Sequence, residues 1–455
     1  MGLKERERRP DMRRNASVYA PAASALFMGL GQIVVLRQYL KGALLAVLEI
    51  VFLLNAETLF KAVRGLITLG DPRPDLPVRL RDNSTFMMLD GLIAVVVMIF
   101  FIIFYTVNIA DARKQGRLYE RTGEIQTTRQ FLKSLGEKAF AYVGLSPAVA
   151  MISFFVVIPL VYAALLAFTN FSAPSHLPPN NTVDWVGLET FREMASLGGQ
   201  FSKAFLRTSI WTFQWALLCT LTTYFGGLFI ALALNEKKIR IARVFRTVFI
   251  LPYAVPGAVM LFVWANILNG QFGPLTKILR ALGAVEWLKN MGVLQSDAIP
   301  WLSDPTMARI MLILVNLWLG FPYFMMMMTG IMTSMPEDIF EAATIDGADK
   351  FQKFRYITLP LLLYQTLPLM ILSFSYNMNN FGGVYFLTQG NPSDNLTTGT
   401  FAGSTDTLMT WMYKLAYDTR IYNKASVIAI CMFVVIAPFA IYNFARTKSF
   451  REGEL

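Results

Sequence analysis

Eight apolar stretches, each long enough to cross a bilayer, constrain this chain more than any other feature of it. They fall at about 41–60, 87–107, 142–168, 209–234, 245–268, 308–333, 361–387 and 425–444. A hydrocarbon layer about 30 Å thick takes roughly 20 helical residues to cross. Backbone N–H and C=O groups facing lipid must find their partners within the chain, and continuous runs of this length satisfy them as helices. The expected fold class is therefore an all-α integral membrane protein. Composition agrees: of 455 residues 55% are hydrophobic and 16% charged, against about 45–50% and about 25% in soluble domains. The apolar run near 22–36 follows a basic start but lacks a small-residue cleavage site, so no cleavable signal peptide is read there.

The net charge of +11 would suggest a nucleic-acid partner in a soluble chain. Its placement points to membrane orientation instead. Basic residues crowd the N-terminal tail (Lys4, Arg6, Arg8, Arg9, Arg13, Arg14), the 108–141 loop (Arg113, Lys114, Arg117, Arg121, Arg129, Lys133, Lys138) and the 235–246 loop (Lys237, Lys238, Arg240, Arg243, Arg246). The positive-inside rule places all three in the cytoplasm. Eight spans then put both termini inside and make this a multi-pass protein of the cytoplasmic membrane. The 61–86 loop runs against the rule, because it is placed outside yet carries Lys61, Arg64, Arg73, Arg79 and Arg81. A further crossing by 22–38 would break the parity, so that Gly-rich piece reads as interfacial or re-entrant.

Residues 1–140 read as an N-terminal extension with a basic tail, the interfacial segment, two spans and a charged linker. Residues 141–445 form a six-span core, and 446–455 a cytoplasmic tail. Glu49, Glu57 and Asp90 belong to the extension and are expected to face water or a partner. Cys219 and Cys431 both fall in spans and imply no disulfide framework. His176 is the single histidine and sits in an outer loop, where a solvated role is expected. The stretch from Thr407 to Tyr417, with Leu408, Trp411, Met412 and Leu415 at helical spacing, reads as a helix resting on the membrane surface or receiving an external partner.

A polar island interrupts the core at 334–360. Ser334-Met335-Pro336-Glu337 has the form of a capping box, and a short helix is expected to run to about Ile345. Gly347 supplies a φ > 0 turn, and a second short helix from about Asp349 leads back to Pro360. The product is a helix–turn–helix outside the bilayer, held at both ends by spans.

None of the six core spans carries an ionisable residue near its centre. Proton- or sodium-coupled carriers generally place such residues inside the membrane, so the core suits a neutral cargo and an energy source elsewhere. It holds amides and aromatics instead. Asn316-Leu317-Trp318-Leu319-Gly320-Phe321-Pro322-Tyr323 lies mid-span with a Gly-x-Pro break. Leu251-Pro252-Tyr253-Ala254-Val255-Pro256-Gly257 is a second segment broken by prolines. In Ser373-Phe374-Ser375-Tyr376-Asn377-Met378-Asn379-Asn380-Phe381, Asn377 and Asn380 are three apart and are expected on one helix face. Amides donate to and accept from hydroxyls, and aromatic rings offer an apolar face to sugar C–H groups. Asparagine in a span also serves as interhelical glue, and spacing leaves the two roles open.

These segments, with Trp301-Leu302-Ser303-Asp304-Pro305 and the island at 341–360, follow one another in the order of a known family. From about Tyr142 onward the chain resembles the MalF-type permease subunit of maltose/maltodextrin ABC importers. The island resembles that family's Glu-Ala-Ala coupling loop. The resemblance implies a six-helix permease core with two additional N-terminal spans. It implies a second homologous permease subunit, an ABC ATPase dimer below and an extracellular sugar-binding protein above. It further implies an oligosaccharide substrate, and ATP and Mg held by the ATPase, with no cofactor, metal or catalytic residue in this chain. Family sugar contacts match Tyr253, Leu319, Gly320, Tyr323, Tyr376, Asn377 and Asn380. The ATPase-facing surface matches Glu341, Ala342, Ala343, Asp346 and Gly347.

The chain also departs from the family pattern. Gly257 stands where the best-known members have serine, and Tyr376 where they have phenylalanine. The outer segment between the first two core spans is only about forty residues. The proline usual shortly after Leu-Pro-Leu-Leu is missing, with Tyr364 nearby. Alternatives are a permease for another neutral glycan such as galacto-oligosaccharides, an ion-coupled carrier, or a membrane enzyme. The carrier reading lacks repeats and intramembrane ion ligands. The enzyme reading lacks paired carboxylates or a nucleophile–base pair, and no phosphate-binding G-x-x-x-x-G-K-[ST] occurs.

Overall fold

The computed structural model describes residues 13–137, 140–196, 198–235 and 241–445. The basic tail up to Asp11 and Met12, Lys138, the cations Lys237, Lys238 and Arg240, and the tail 446–455 lie outside the described residues. Among the described residues the chain is all-α, with isolated β-bridges but no strand. It divides into two compact units, Met1–Val186 and Gly187–Leu455.

In the first unit, α1 (Ala16–Leu26) and α2 (Leu30–Val34) are followed by α3 (Tyr39–Leu54) and α4 (Ala56–Thr68). The last two meet at Asn55 with a bend of 52°. Next come α5 (Ser84–Thr122), α6 (Thr128–Glu137) and α7 (Phe140–Leu166). The length of α5 is set by its caps. The Asn83 side chain accepts from the N–H groups of Thr85 and Phe86, and Gly123 closes the other end at φ +72. The segment read as interfacial is the α1–α2 pair, and it packs on α5 through a buried amide network. The Ser24 hydroxyl donates to Gln32 Oε1 at 2.7 Å, and Gln32 Nε2 donates to Asn108 Oδ1 at 2.8 Å. Glu49 corrects the expectation of a water- or partner-facing side chain. It is buried, and its carboxylate accepts the Met28 N–H, a donor left free where α1 gives way to α2.

In the second unit, α8 (Glu189–Ala195) leads into α9 (Gln200–Asn235), then α10 (Ala242–Ile250) and α11 (Gly257–Ile267). Two short helices, α12 (Pro274–Ala281) and α13 (Ala284–Asn290), precede α14 (Pro305–Ser334). After them come α15 (Glu337–Ile345), α16 (Lys350–Met378), α17 (Gly382–Thr388), α18 (Leu408–Tyr413) and α19 (Tyr422–Ala445). The stretch read as one span at 245–268 bends by 98° between α10 and α11. Pro256 removes a helical N–H and forces Val255 into extended backbone, φ −110 and ψ 136. The stretch at 361–387 also differs from one continuous span, because α16 ends at Met378 and the helix resumes only at Gly382.

The centre of this unit is α9, packed against α14 and α16. Trp211, Trp215 and Cys219 are buried with Leu312 and Val315, and Tyr224 and Leu228 with Phe324, Met325 and Leu362. Two polar contacts fix the helices in register: Tyr224 Oη with Thr366 Oγ1 at 2.7 Å, and Asn377 Nδ2 donating to Thr220 Oγ1 at 3.1 Å. Between lipid-facing helices close packing replaces much of the hydrophobic drive, and Gly227 permits it here. A Cβ at that position would lie 2.6 Å from Phe324 Cβ and 2.8 Å from the Met325 backbone nitrogen. Gly227→Ala should therefore destabilise the protein by about 1–3 kcal/mol, read as a lower melting temperature in detergent.

The 388–424 loop is anchored on α9 and α14. Asp406 is buried and accepts from Lys414 Nζ at 2.7 Å, Gly403 N–H at 2.7 Å and the Thr410 hydroxyl at 2.9 Å. Arg309 donates to the Ser404 carbonyl with its guanidinium over the Trp211 ring, and Trp211 Nε1 donates to the Thr405 carbonyl. Thr407 caps α18 in a reciprocal box with Thr410. Leu408, Trp411 and Leu415, read as a surface-binding face, are buried in this scaffold instead.

Candidate functional site

The bend between α10 and α11 presents Tyr253, which is exposed on its one-turn 3-10 segment. On α14, Asn316, Gly320 and Tyr323 follow at i, i+4 and i+7 and so share one face. On α16, Ser373, Tyr376 and Asn377 fall at i, i+3 and i+4 and likewise share one face. These three elements enclose a cleft of about 380 Å³ lined by all seven residues, with Thr223, Phe324, Leu369 and Leu372. No charged side chain lines it among the described residues. Tyr376 is 70% exposed and Asn377 only 4%. Such walls offer ring faces and amide or hydroxyl groups, the chemistry that suits a polyhydroxylated neutral ligand.

Of the sequence-derived positions, Tyr253, Gly320, Tyr323, Tyr376 and Asn377 line this cleft, whereas Leu319 and Asn380 do not. Leu319 packs on the Trp211–Trp215 cluster. The shared helix face expected for Asn377 and Asn380 is corrected, because α16 stops at Met378. The Asn380 carboxamide oxygen turns to accept the Gly383 N–H at 2.8 Å at the start of α17. Asn316 and Ser373 were not singled out from sequence, yet both line the cleft and neither side chain is hydrogen-bonded among the described residues. A polar side chain facing the cleft without an internal partner is the signal that identifies them, and it needs coordinates. Gly-x-Pro at 320–322 leaves α14 continuous from Pro305 to Ser334.

The polar island folds as a helix, a turn and a helix, with two corrections. The Ser334 hydroxyl donates back to the Ile331 carbonyl as the last residue of α14, so it does not cap α15. The reciprocal box lies one helix later: Asp349 Oδ1 accepts the Gln352 N–H at 2.7 Å and Gln352 Oε1 accepts the Asp349 N–H at 2.9 Å. The second helix is also not short. It runs on into the apolar segment as one helix, Lys350–Met378. Five residues at Phe354–Thr358 widen into a π turn just before Pro360, where a proline ring would otherwise press on the carbonyl four residues back. The helix continues past Tyr364 without the family's usual proline.

The turn itself needs no outside support. Gly347 has φ +76, its N–H donates to the Thr344 carbonyl at 3.0 Å, and the Ala348 N–H donates to the Ala343 carbonyl at 2.9 Å. Together these bonds close the end of α15. Lys353 Nζ donates to the Thr344 hydroxyl at 2.6 Å and ties the two helices together. Glu341, Ala342, Asp346 and Gly347 are exposed and Ala343 is half-buried. Around them stand Ile345, Phe351 and Tyr356, at 87%, 71% and 76% exposure.

Residues 223–447 match the family described as "Binding-protein-dependent transport system inner membrane component". The galactooligosaccharides transport system permease protein GanP of Bacillus subtilis (strain 168) is 34% identical over 429 residues, 94% of this chain and 97% of that protein. The maltodextrin transport system permease protein MdxF of the same organism is 32% identical over 434 residues, 95% and 96% of the two chains. Among solved structures, a chain of the bacterial alginate ABC transporter in complex with an alginate pentasaccharide-bound periplasmic protein superposes with a TM-score of 0.51. The superposition is at 19% identity and covers 69% of this chain and 96% of that one, a likeness of fold. The chain belongs to the family of binding-protein-dependent transport system inner membrane components and is of the MalF type.

Proposed function

We propose that this chain is the permease subunit of an ATP-driven importer of maltodextrin-type oligosaccharides, forming half of the translocation path. The observation that carries this reading is the joining of two sites by α16. One end holds Tyr376 and Asn377 in the uncharged cleft, and the other begins at the turn beside Glu341, Asp346 and Gly347. In this reading the ATPase grips Glu341, Ala342, Ala343, Asp346 and Gly347, and Tyr253, Gly320, Tyr323, Tyr376 and Asn377 contact sugar. Leu319 and Asn380 shape the cleft from behind. ATP and Mg belong to an ATPase dimer, and a second permease and an extracellular binding protein complete the assembly. Residues 141–445 are the permease domain, and the extension up to residue 140 adds two spans.

Among the described residues, five long apolar helices, two bent pairs and the apolar part of α19 support a path of eight spans with both termini inside. A galacto-oligosaccharide cargo is the second reading, favoured by the full-length likeness to GanP. Measuring which sugars stimulate ATP hydrolysis by the reconstituted complex decides between them.

Two variants test the cleft. Asn377→Ala and Thr220→Val both remove the interhelical hydrogen bond, worth about 0.5–1.5 kcal/mol, but only Asn377 lines the cleft. Both should lower complex yield slightly, while Asn377→Ala alone should weaken the apparent sugar affinity, by about two- to tenfold. Equal sugar affinity in the two variants would reduce Asn377 to a packing residue.

A further inference from the structure

On α5 an apolar surface turns cationic within three turns. Ile99, Ile102 and Ile103 are exposed, and Thr106 and Ala110 continue their face. Then follow Arg113, Lys114, Arg117 and Arg121, at spacings that hold them on that face. The side chains border a groove of about 660 Å³ whose apolar end is formed by Thr106, Ile109 and Ala110.

The cations here outnumber the carboxylates beside them, although Glu120 also feels the charge of Arg117. The two carboxylates within the same stretch are engaged elsewhere: Asp111 pairs with Lys41, and Glu120 accepts the Ser17 N–H at 2.7 Å. Among the described residues none of Arg113, Lys114, Arg117 and Arg121 has a salt bridge or side-chain hydrogen bond, and all four are exposed. Orientation alone asks only for basic residues somewhere near the membrane boundary. It does not require them along one face and continuous with an apolar strip.

We propose that this groove binds an anionic phospholipid of the cytoplasmic leaflet. The phosphate lies among Arg113, Lys114 and Arg117, with Arg121 adding long-range attraction. The acyl chains lie along Ala110, Ile103 and Ile102. A guanidinium fork matches phosphate oxygens in pairs, and basic clusters just beyond a span draw anionic headgroups. The inference rests on the cytoplasmic placement of this loop in the reading above.

The test uses the full chain in detergent with equimolar phosphatidylglycerol and phosphatidylcholine, the bound lipid being counted by native mass spectrometry. Phosphatidylglycerol should be retained preferentially. The variant R113Q/R117Q/R121Q should lose that preference, with affinity falling roughly a hundredfold because each cation contributes several-fold. The charge-conserving R113K/R117K/R121K should keep most of it and controls for folding. Equal retention of the two lipids, or an unchanged glutamine variant, overturns the proposal. Displacement by millimolar inorganic phosphate would mark a free-anion site, and displacement by the ATPase subunit a protein-docking surface. Either result also overturns it. Separately, Glu124→Cys should react with an impermeant maleimide only in inside-out vesicles. Labelling from the outer side would refute the orientation, whatever the lipid preference.

Discussion

Gly347→Val is expected to cut sugar-stimulated ATP hydrolysis and uptake severely while leaving membrane insertion intact. The residue holds φ +76, and an added Cβ would meet no atom within 4 Å, so the penalty is one of backbone alone. A β-branched residue held in the left-handed region is strained by roughly 1–3 kcal/mol. The turn can relieve that strain only by giving up the two hydrogen bonds that close α15. The helices then lose their fixed angle, and a surface that must fit a rigid groove no longer does. Stimulated turnover should fall by about tenfold or more, since 1.4 kcal/mol is a factor of ten. Gly347→Asn is the control, because asparagine tolerates the left-handed region, and it should retain most activity. Normal coupling in the valine variant would sink the docking role of this loop.

Lys414→Met is expected to unfold the outer loop. It leaves the Asp406 carboxylate buried without its cation, and breaking a buried pair by removing one partner costs about 3–5 kcal/mol. Burial already raises the Asp406 carboxyl from its ordinary value, outweighing the opposing pull of Lys414, the Gly403 N–H and the Thr410 hydroxyl. Without Lys414 it should rise further. A raised carboxyl takes up a proton more readily in the folded chain than in the unfolded one. The variant's deficit should therefore be largest at neutral and alkaline pH and shrink as pH falls toward the carboxylate range. Thermal melts of the purified protein at several pH values check both size and direction. A deficit that grows on acidification would contradict the buried-carboxylate account.

What the sequence made legible depended on how far apart the cooperating residues are. Apolar runs, the extended Val255 before Pro256 and the positive φ at Gly347 are local properties, and each could be read from a few neighbouring residues. The partner of Asn377 is Thr220, 157 positions away, and nothing near Asn377 announces it. Asn380 was misread because helical spacing says nothing of where a helix stops. Ser334 begins a plausible capping box, and only continuation of α14 to Ser334 decides that it does not form. The inward turn of Glu49 was equally hidden, since the donor it satisfies exists only because α1 breaks at Phe27.

The continuity of α16 has a thermodynamic consequence on the proposed reading. As a single helix of 29 residues, about 43 Å long at 1.5 Å per residue, it makes the orientation of Tyr376 and that of the Gly347 turn one variable. Whatever grips the turn and favours one setting of this rod must then change the cleft's hold on sugar. By linkage, sugar must change the affinity of that grip by the same factor. The π turn at Phe354–Thr358 sets how much of a twist applied at one end arrives at the other. Its compliance limits how strongly nucleotide hydrolysis and sugar release can be tied together.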